Sequence, residues 1–214
     1  MHYGLIYCMG RFGLYLIDKV IFELTKNAPQ LIVTKPKNIN SKDYMYLGIN
    51  SISETIFIIK ILNLILHKSI ICTSIYKPFV SFYLLFYLDD IGYILLHRIL
   101  HKFYWLHFHH HKIKIPTRGY IDAGNENPIE MALALIYNYY IIILFNNLID
   151  IPSISIIMHV FAKAIGSCIN HLNKDVRINL GFGVVFDSAF HQKHHIHNNR
   201  SEEHTSELQS HSDL

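Results

Sequence analysis

Nine histidines stand at spacings that suit metal ligation. His97 and His101 are four residues apart, His107, His110 and His111 form an HxxHH pattern, and His191, His194 and His195 repeat it. His171 adds a ninth imidazole, just after the last apolar block. Residues i and i+4 share one face of a helix, so each cluster can aim several imidazoles at one point. A metal site takes about four to six ligands, so nine nitrogen donors suit two metals rather than one. Neutral imidazole binds Fe, Zn, Cu and Ni alike, and ligand type alone does not name the element.

The remaining histidines read differently. His109 lies among the ligand candidates but points off the face of His107 and His111. His159 lies within an apolar stretch and is expected to be a packed histidine hydrogen-bonded across helices. His67 falls toward the opposite end, and His2 and His197 read as surface or outer positions. Asp89 and Asp90 also sit within an apolar stretch. Asp90 could accept a hydrogen bond from the distal nitrogen of a ligating histidine; an interhelical ion pair is the plainer alternative.

Such clusters need rigid elements to bring them together. The 214 residues are 51% hydrophobic and only 16% charged, against about 25% charged for a soluble domain, and mean hydropathy is +0.23. The apolar residues form blocks at about 52–75, 79–96, 129–149 and 151–169, the first interrupted by Lys60, His67 and Lys68. A helical span needs about 20 residues, and open strand edges are not tolerated in lipid. The expected fold is an all-α membrane protein with four or five transmembrane or membrane-embedded helices and a histidine-rich di-metal site at its cytosolic end. Asp150 and Pro152 mark a tight turn, so blocks 129–149 and 151–169 form a hairpin. That hairpin returns His171–His195 to the side of His97–His111. The loops on that side carry Arg98, Lys102, Lys112, Lys114, Arg118, Lys174, Arg177 and Lys193, which by the positive-inside rule makes it cytosolic. The Lys35, Lys37 and Lys42 loop falls there too.

Residues 1–50 read as an N-terminal membrane or interfacial segment with a basic loop, and not as a removed signal. Residues 51–199 read as the membrane domain. The run "RSEEHTSELQS" matches the translation of a sequencing adapter. Residues 200–214 are therefore expected to be an artefactual tail on a truncated chain, with no role for His204 or His211. Net charge is +3 and dispersed, which argues against nucleic-acid binding. Cys8, Cys72 and Cys168 form neither a metal motif nor a disulfide framework. Gly181 and Gly183 do not make a dinucleotide loop, and no haem-ligand pair is evident, so electrons for any redox chemistry would come from outside the chain.

The ordered motifs resemble those of the fatty acid hydroxylase superfamily, which includes sterol desaturases and sterol methyl oxidases. The resemblance rests on Asp90, Tyr93, His97, Arg98 and His101, then on His107, His110 and His111 followed by Pro116 and Thr117. "NHLNKDVRI", with His171 and Asn173, and "AFHQKHHIHNN" complete it, over about residues 79–199. The resemblance implies a di-iron oxygenase of the endoplasmic reticulum membrane. It would hydroxylate or desaturate a lipid, with a sterol as leading substrate. It would use two Fe ions, O2 and electrons from cytochrome b5 or its NAD(P)H reductase, and the nine histidines would be the ligands. Sterol methyl oxidases often read HPxE where this chain has Asn127, Pro128, Ile129 and Glu130. Asn127 could bind weakly through oxygen or only hydrogen-bond. With Asp90, Glu130 and Asn173 it forms the outer candidate set. The alternatives are a catalytically inactive family member or a metal-binding or metal-transporting membrane protein.

Overall fold

The computed structural model describes residues 3–33, 38–66 and 76–196. His2, Lys35, Lys37, His67, Lys68, Cys72, His197 and the 200–214 tail lie outside the described residues. Helices dominate: α1 (Tyr3–Thr25), α2 (Ser41–Leu66), α3 (Tyr76–Lys102), α4 (Tyr104–His111), α5 (Tyr120–Ala123), α6 (Pro128–Ile149), α7 (Ser153–Asn170) and α8 (Ser188–Ile196). Four of them, α2, α3, α6 and α7, are long and apolar enough to cross a membrane.

Local chemistry sets their ends. The Asn40 and Asp43 side chains each accept the other's backbone N–H, at 3.0 and 2.9 Å. This reciprocal cap starts α2 at Ser41, so Lys42 occupies its first turn and not a loop. Asn127 accepts the Ile129 N–H at 3.0 Å and Pro128 fills the first turn, which starts α6. Asp150 ends it in the left-handed conformation (φ 47°), and Pro152 precedes α7. The α6–α7 hairpin expected from the sequence therefore forms at that turn. At the same end Lys77 lies 3.9 Å from Asp150 and the Ser155 hydroxyl donates to the Pro78 carbonyl. The start of α3 thus shares the far end with the turn, and the histidine-bearing end of α3 lies opposite.

The packing is apolar outward. On α6, Ile129, Leu133, Ile136, Tyr140, Leu144 and Leu148 form an exposed stripe at helical spacing, the arrangement lipid stabilises and water does not. Ile61, Leu85, Ile142, Ile151 and Ile156 make the interior toward the far end. A second cluster, including Phe86, Ala162, Ile169, Leu172 and Phe186, lies beneath the histidines.

One element was not anticipated. Arg177–Gly181 (β1) and Val184–Asp187 (β2) pair antiparallel as a two-stranded hairpin. Gly181, Phe182 and Gly183 all have positive φ at its tip (91°, 47° and 82°), which explains why glycines flank the turn. The hairpin is held to α3 by the Tyr83 hydroxyl, which donates to the Leu180 carbonyl at 2.6 Å, and to α7 by Phe186, whose ring lies where a Gly166 Cβ would be. Gly166→Val should therefore lower stability by overpacking, by about 1–3 kcal/mol. The thermal midpoint in detergent, compared with the unsubstituted chain, measures this.

Candidate metal centre

α3, α4, the residue that caps α7 (His171) and α8 deliver nine imidazoles to one place. His97, His101, His107, His111 and His194 form one group, and His110, His171, His191 and His195 form a second. Within each group the available ring nitrogens lie within 4.8 Å of one another. The groups adjoin: the His111 and His195 rings are 4.9 Å apart, and His107 and His110 stack at 5.5 Å.

Helix geometry explains the partition. At about 100° per residue, positions i and i+4 differ by about 40°, whereas i+3 falls about 60° to the other side. His97 with His101, and His107 with His111, thus point into the first group, and His191 with His195 into the second. The i+3 member of each HxxHH pattern crosses over: His110 joins the second group and His194 the first. Each short helix therefore serves both groups.

The ring nitrogens crowd together, Nε2 against Nε2. Nε2 atoms lie 2.7 Å apart in His107–His111, 3.0 Å in His97–His194, 3.1 Å in His191–His195 and 3.2 Å in both His97–His101 and His171–His191. At two positions the far side of the ring is anchored. His107 Nδ1 is 2.5 Å from a Glu130 carboxyl oxygen, and His171 Nδ1 donates to the Ser167 carbonyl at 2.8 Å. With Nδ1–H donating there, His171 Nε2 presents a bare lone pair toward His191. Burial pushes His110, His171, His191 and His195 below the usual imidazole range. For His110, His191 and His195 neighbouring imidazoles push the same way. Converging, neutral, unprotonated nitrogens are what soft or borderline cations require. The two clusters are suited to two metal ions.

The outer candidates divide. Glu130, buried in the first turn of α6, meets His107. Asn173 does not reach an imidazole. It bonds both backbone groups of Ile32 at 2.6 and 3.1 Å and accepts from Gln192 at 3.2 Å, steadying α8 next to His191. Asn127 is occupied as the helix cap. Asp90 lies half-buried on α3 beside Asp89. Asp89, fully buried, is an interhelical partner. It takes Lys163 at 2.9 Å and Asn138 at 3.0 Å, with His159 3.7 Å away. His159 is thus a packed histidine in a polar network joining α3, α6 and α7. His109 stays outside both groups, 3.1 Å from Asn125 and from Asp43. Phe103, Tyr104, Trp105 and Phe108 all face outward beside the histidines.

Several residues beneath the site carried no motif. Asn50 donates to the carbonyls of Gly124 and Glu126, each at 2.9 Å. Glu54 takes Arg11 at 2.8 Å and the Tyr120 hydroxyl. Burial first, and the Glu54 carboxylate second, raise Glu126 above the usual carboxylate range. Asp43, Asn50 and Glu54 recur at helical spacing along one side of α2. The Gly119 N–H donates to the His171 carbonyl at 3.1 Å, and Asp122 accepts the N–H groups of Thr117 and Arg118 at 2.7 and 2.8 Å.

Among known proteins, residues 82–210, more than half of the chain, match the family model described as fatty acid hydroxylase. No curated protein and no solved structure gives a match.

Two outcomes follow from the geometry. His195→Ala leaves three imidazoles in the second group and should reduce bound metal from two ions to one, whereas His109→Ala should still fill both groups at saturating metal. Metal analysis per chain distinguishes them. The second concerns pH. The folded imidazoles titrate below the unfolded value of about 6.5, so the unfolded chain takes up protons first as pH falls. Their contribution to stability is full above about pH 6.5 and is lost as pH drops below it. The thermal midpoint of the metal-free chain should fall between pH 7 and pH 5, measurable by calorimetry.

Proposed function

The chain belongs to the fatty acid hydroxylase family, a metal-dependent membrane oxidoreductase, and from that premise we propose that it is a di-iron oxygenase that hydroxylates or desaturates a lipid. The observation that carries the reading is the pair of adjoining all-histidine groups at one end of four lipid-suited helices. Unactivated C–H bonds lie beyond the reach of any side-chain base. Iron, when bound, supplies the redox chemistry with O2 that zinc does not.

The chain's own residues have definable parts. The nine histidines would hold the two ions. Glu130 and the Ser167 carbonyl would fix the His107 and His171 tautomers so that Nε2 faces the metal. Asn173 would steady α8 through Gln192, Asn127 would set the start of the Glu130 helix, and Asp90 remains an outer candidate on α3. The substrate would arrive sideways from the bilayer. Trp105 and its aromatic neighbours suit an interfacial belt at that mouth. A sterol is the substrate class we favour, in keeping with the sterol-desaturase-like motifs.

Lys102, Lys114, Arg177 and Lys193 are exposed around the histidine end. Their charge supports a cytosolic orientation in the endoplasmic reticulum membrane. It also supports docking of an acidic electron donor such as cytochrome b5, fed by its NAD(P)H reductase. A metal-transport reading finds less support. Asp89 and His159, two polar groups within the spans, share their network with the Lys163 ammonium, which repels a passing cation.

Full-length protein purified in detergent should hold nearly two irons per chain and oxidise a component of a lipid extract only when O2 and a reducing system are both present. Bound zinc alone, or a fully iron-loaded chain without product, contradicts the proposal. Lipid profiles of a null mutant, with and without the gene restored, address the substrate. Accumulation of one methylated or saturated sterol is expected, and an unchanged sterol profile removes the sterol assignment.

A further inference from the structure

The histidine helix α4 is gripped from a part of the chain that neither the motifs nor the family match reaches. The match begins at residue 82, and Asp43 lies in the first turn of α2. Asp43 is buried at 3% exposure, and its two oxygens have separate tasks. Oδ2 closes the reciprocal cap with Asn40 at 2.9 Å, which fixes the carboxylate's direction. Oδ1 accepts Lys112 Nζ at 2.7 Å and lies 3.1 Å from His109 Nε2. Asn125 Oδ1 also lies 3.1 Å from that nitrogen, and the Tyr46 ring packs on His109 at 4.5 Å.

His109 and Lys112 are the residues on either side of His110 and His111. Those two feed different metal groups. One carboxylate thus holds α4 immediately before and immediately after the pair whose directions divide the groups. A twist of α4 about its axis would turn His110 and His111 away from their respective partners together.

We propose that Asp43 is a positioning residue for the di-metal site, setting the rotation of α4 through His109 and Lys112; this rests on the metal-binding reading above. The carboxylate touches neither metal nor substrate. Its effect should appear as metal affinity rather than as a change in ligand number, with the roughly 10–100-fold typical of groups bonded directly to a ligand as its upper bound. A carboxylate that only fastened α2 to α4 would lower stability and leave the affinity of the folded, metal-free chain alone.

The test uses the full chain, metal-free, in one detergent, titrated with Co2+ as a spectroscopic probe. The unsubstituted chain should take up two Co2+. Asp43→Ala should lower the affinity by up to about 10–100-fold and alter the Co2+ absorption bands, beyond what the accompanying loss of stability of the metal-free protein accounts for. Asp43→Asn retains an oxygen acceptor toward His109 and should lose less. Lys112→Met removes one arm and leaves the helix cap intact, so it carries the same test if Asp43→Ala does not fold, with an intermediate loss expected. Unchanged Co2+ affinity and spectrum in these variants overturn the proposal, as does an affinity loss wholly accounted for by lost stability of the metal-free chain. An unsubstituted chain that binds no Co2+ overturns the metal reading itself. Two Co2+ bound equally well with and without the Asp43 carboxylate overturn only its positioning role.

Discussion

Nine imidazoles converge, buried or half-buried, into two adjoining groups. His171 donates its Nδ1 proton outward to the Ser167 carbonyl and His107 turns Nδ1 to Glu130, so both present Nε2 inward. Protonating several rings would pack like charges together out of water, which burial opposes. Neutral rings can instead hold a cation through their lone pairs. A ligand bound only by the folded state stabilises it, by about 2.7 kcal/mol at a hundred times its dissociation constant. Metal loading and fold stability are therefore linked, and the rest of the architecture serves to hold this concentration of nitrogen in place.

Lipid supplies the second constraint. A soluble protein of this size would bury the apolar faces that α6 presents outward. Interior contacts must then fix helix register with less help from the hydrophobic effect, because lipid tails are as apolar as the side chains. The Asp89 network does part of that work. It joins α3, α6 and α7 through Lys163, Asn138 and His159, and the first two of those helices carry His97, His101 and Glu130. A lone charge at mid-bilayer costs about 2.5–3.5 kcal/mol even on the most lenient scale. Pairing Asp89 with Lys163 offsets that cost while tying the helices together.

The site was legible because its ligands are local in sequence. Spacings of three and four residues can be counted without knowing the fold, and the short Asp150–Pro152 turn was enough to bring His171–His195 back beside His97–His111. What stayed hidden was long-range. Asn50 reaches Gly124 and Glu126, Arg11 reaches Glu54, and Asn173 reaches Ile32. None of these pairs has a local pattern of its own. The crossing of His110 and His194 between groups also depends on how α4 and α8 dock. Asn127 illustrates the opposite difficulty. Its place in an HPxE-like motif suggested a role toward metal, while the adjacent Pro128 signalled the helix cap that it forms. The β1–β2 hairpin stayed hidden as well, because Gly181 and Gly183 were weighed only against a dinucleotide loop and not as the flanks of a turn at Phe182.

The crossing has a consequence for assembly. If each HxxHH helix supplied one metal, the two ions could be gained and lost independently. Here α4 gives His107 and His111 to one group and His110 to the other, and α8 gives His191 and His195 to one and His194 to the other. Docking either helix for one ion sets the direction of ligands for both. A rotation of α4 that moved His111 out of the first group would carry His110 out of the second, so the two groups share one arrangement of these helices.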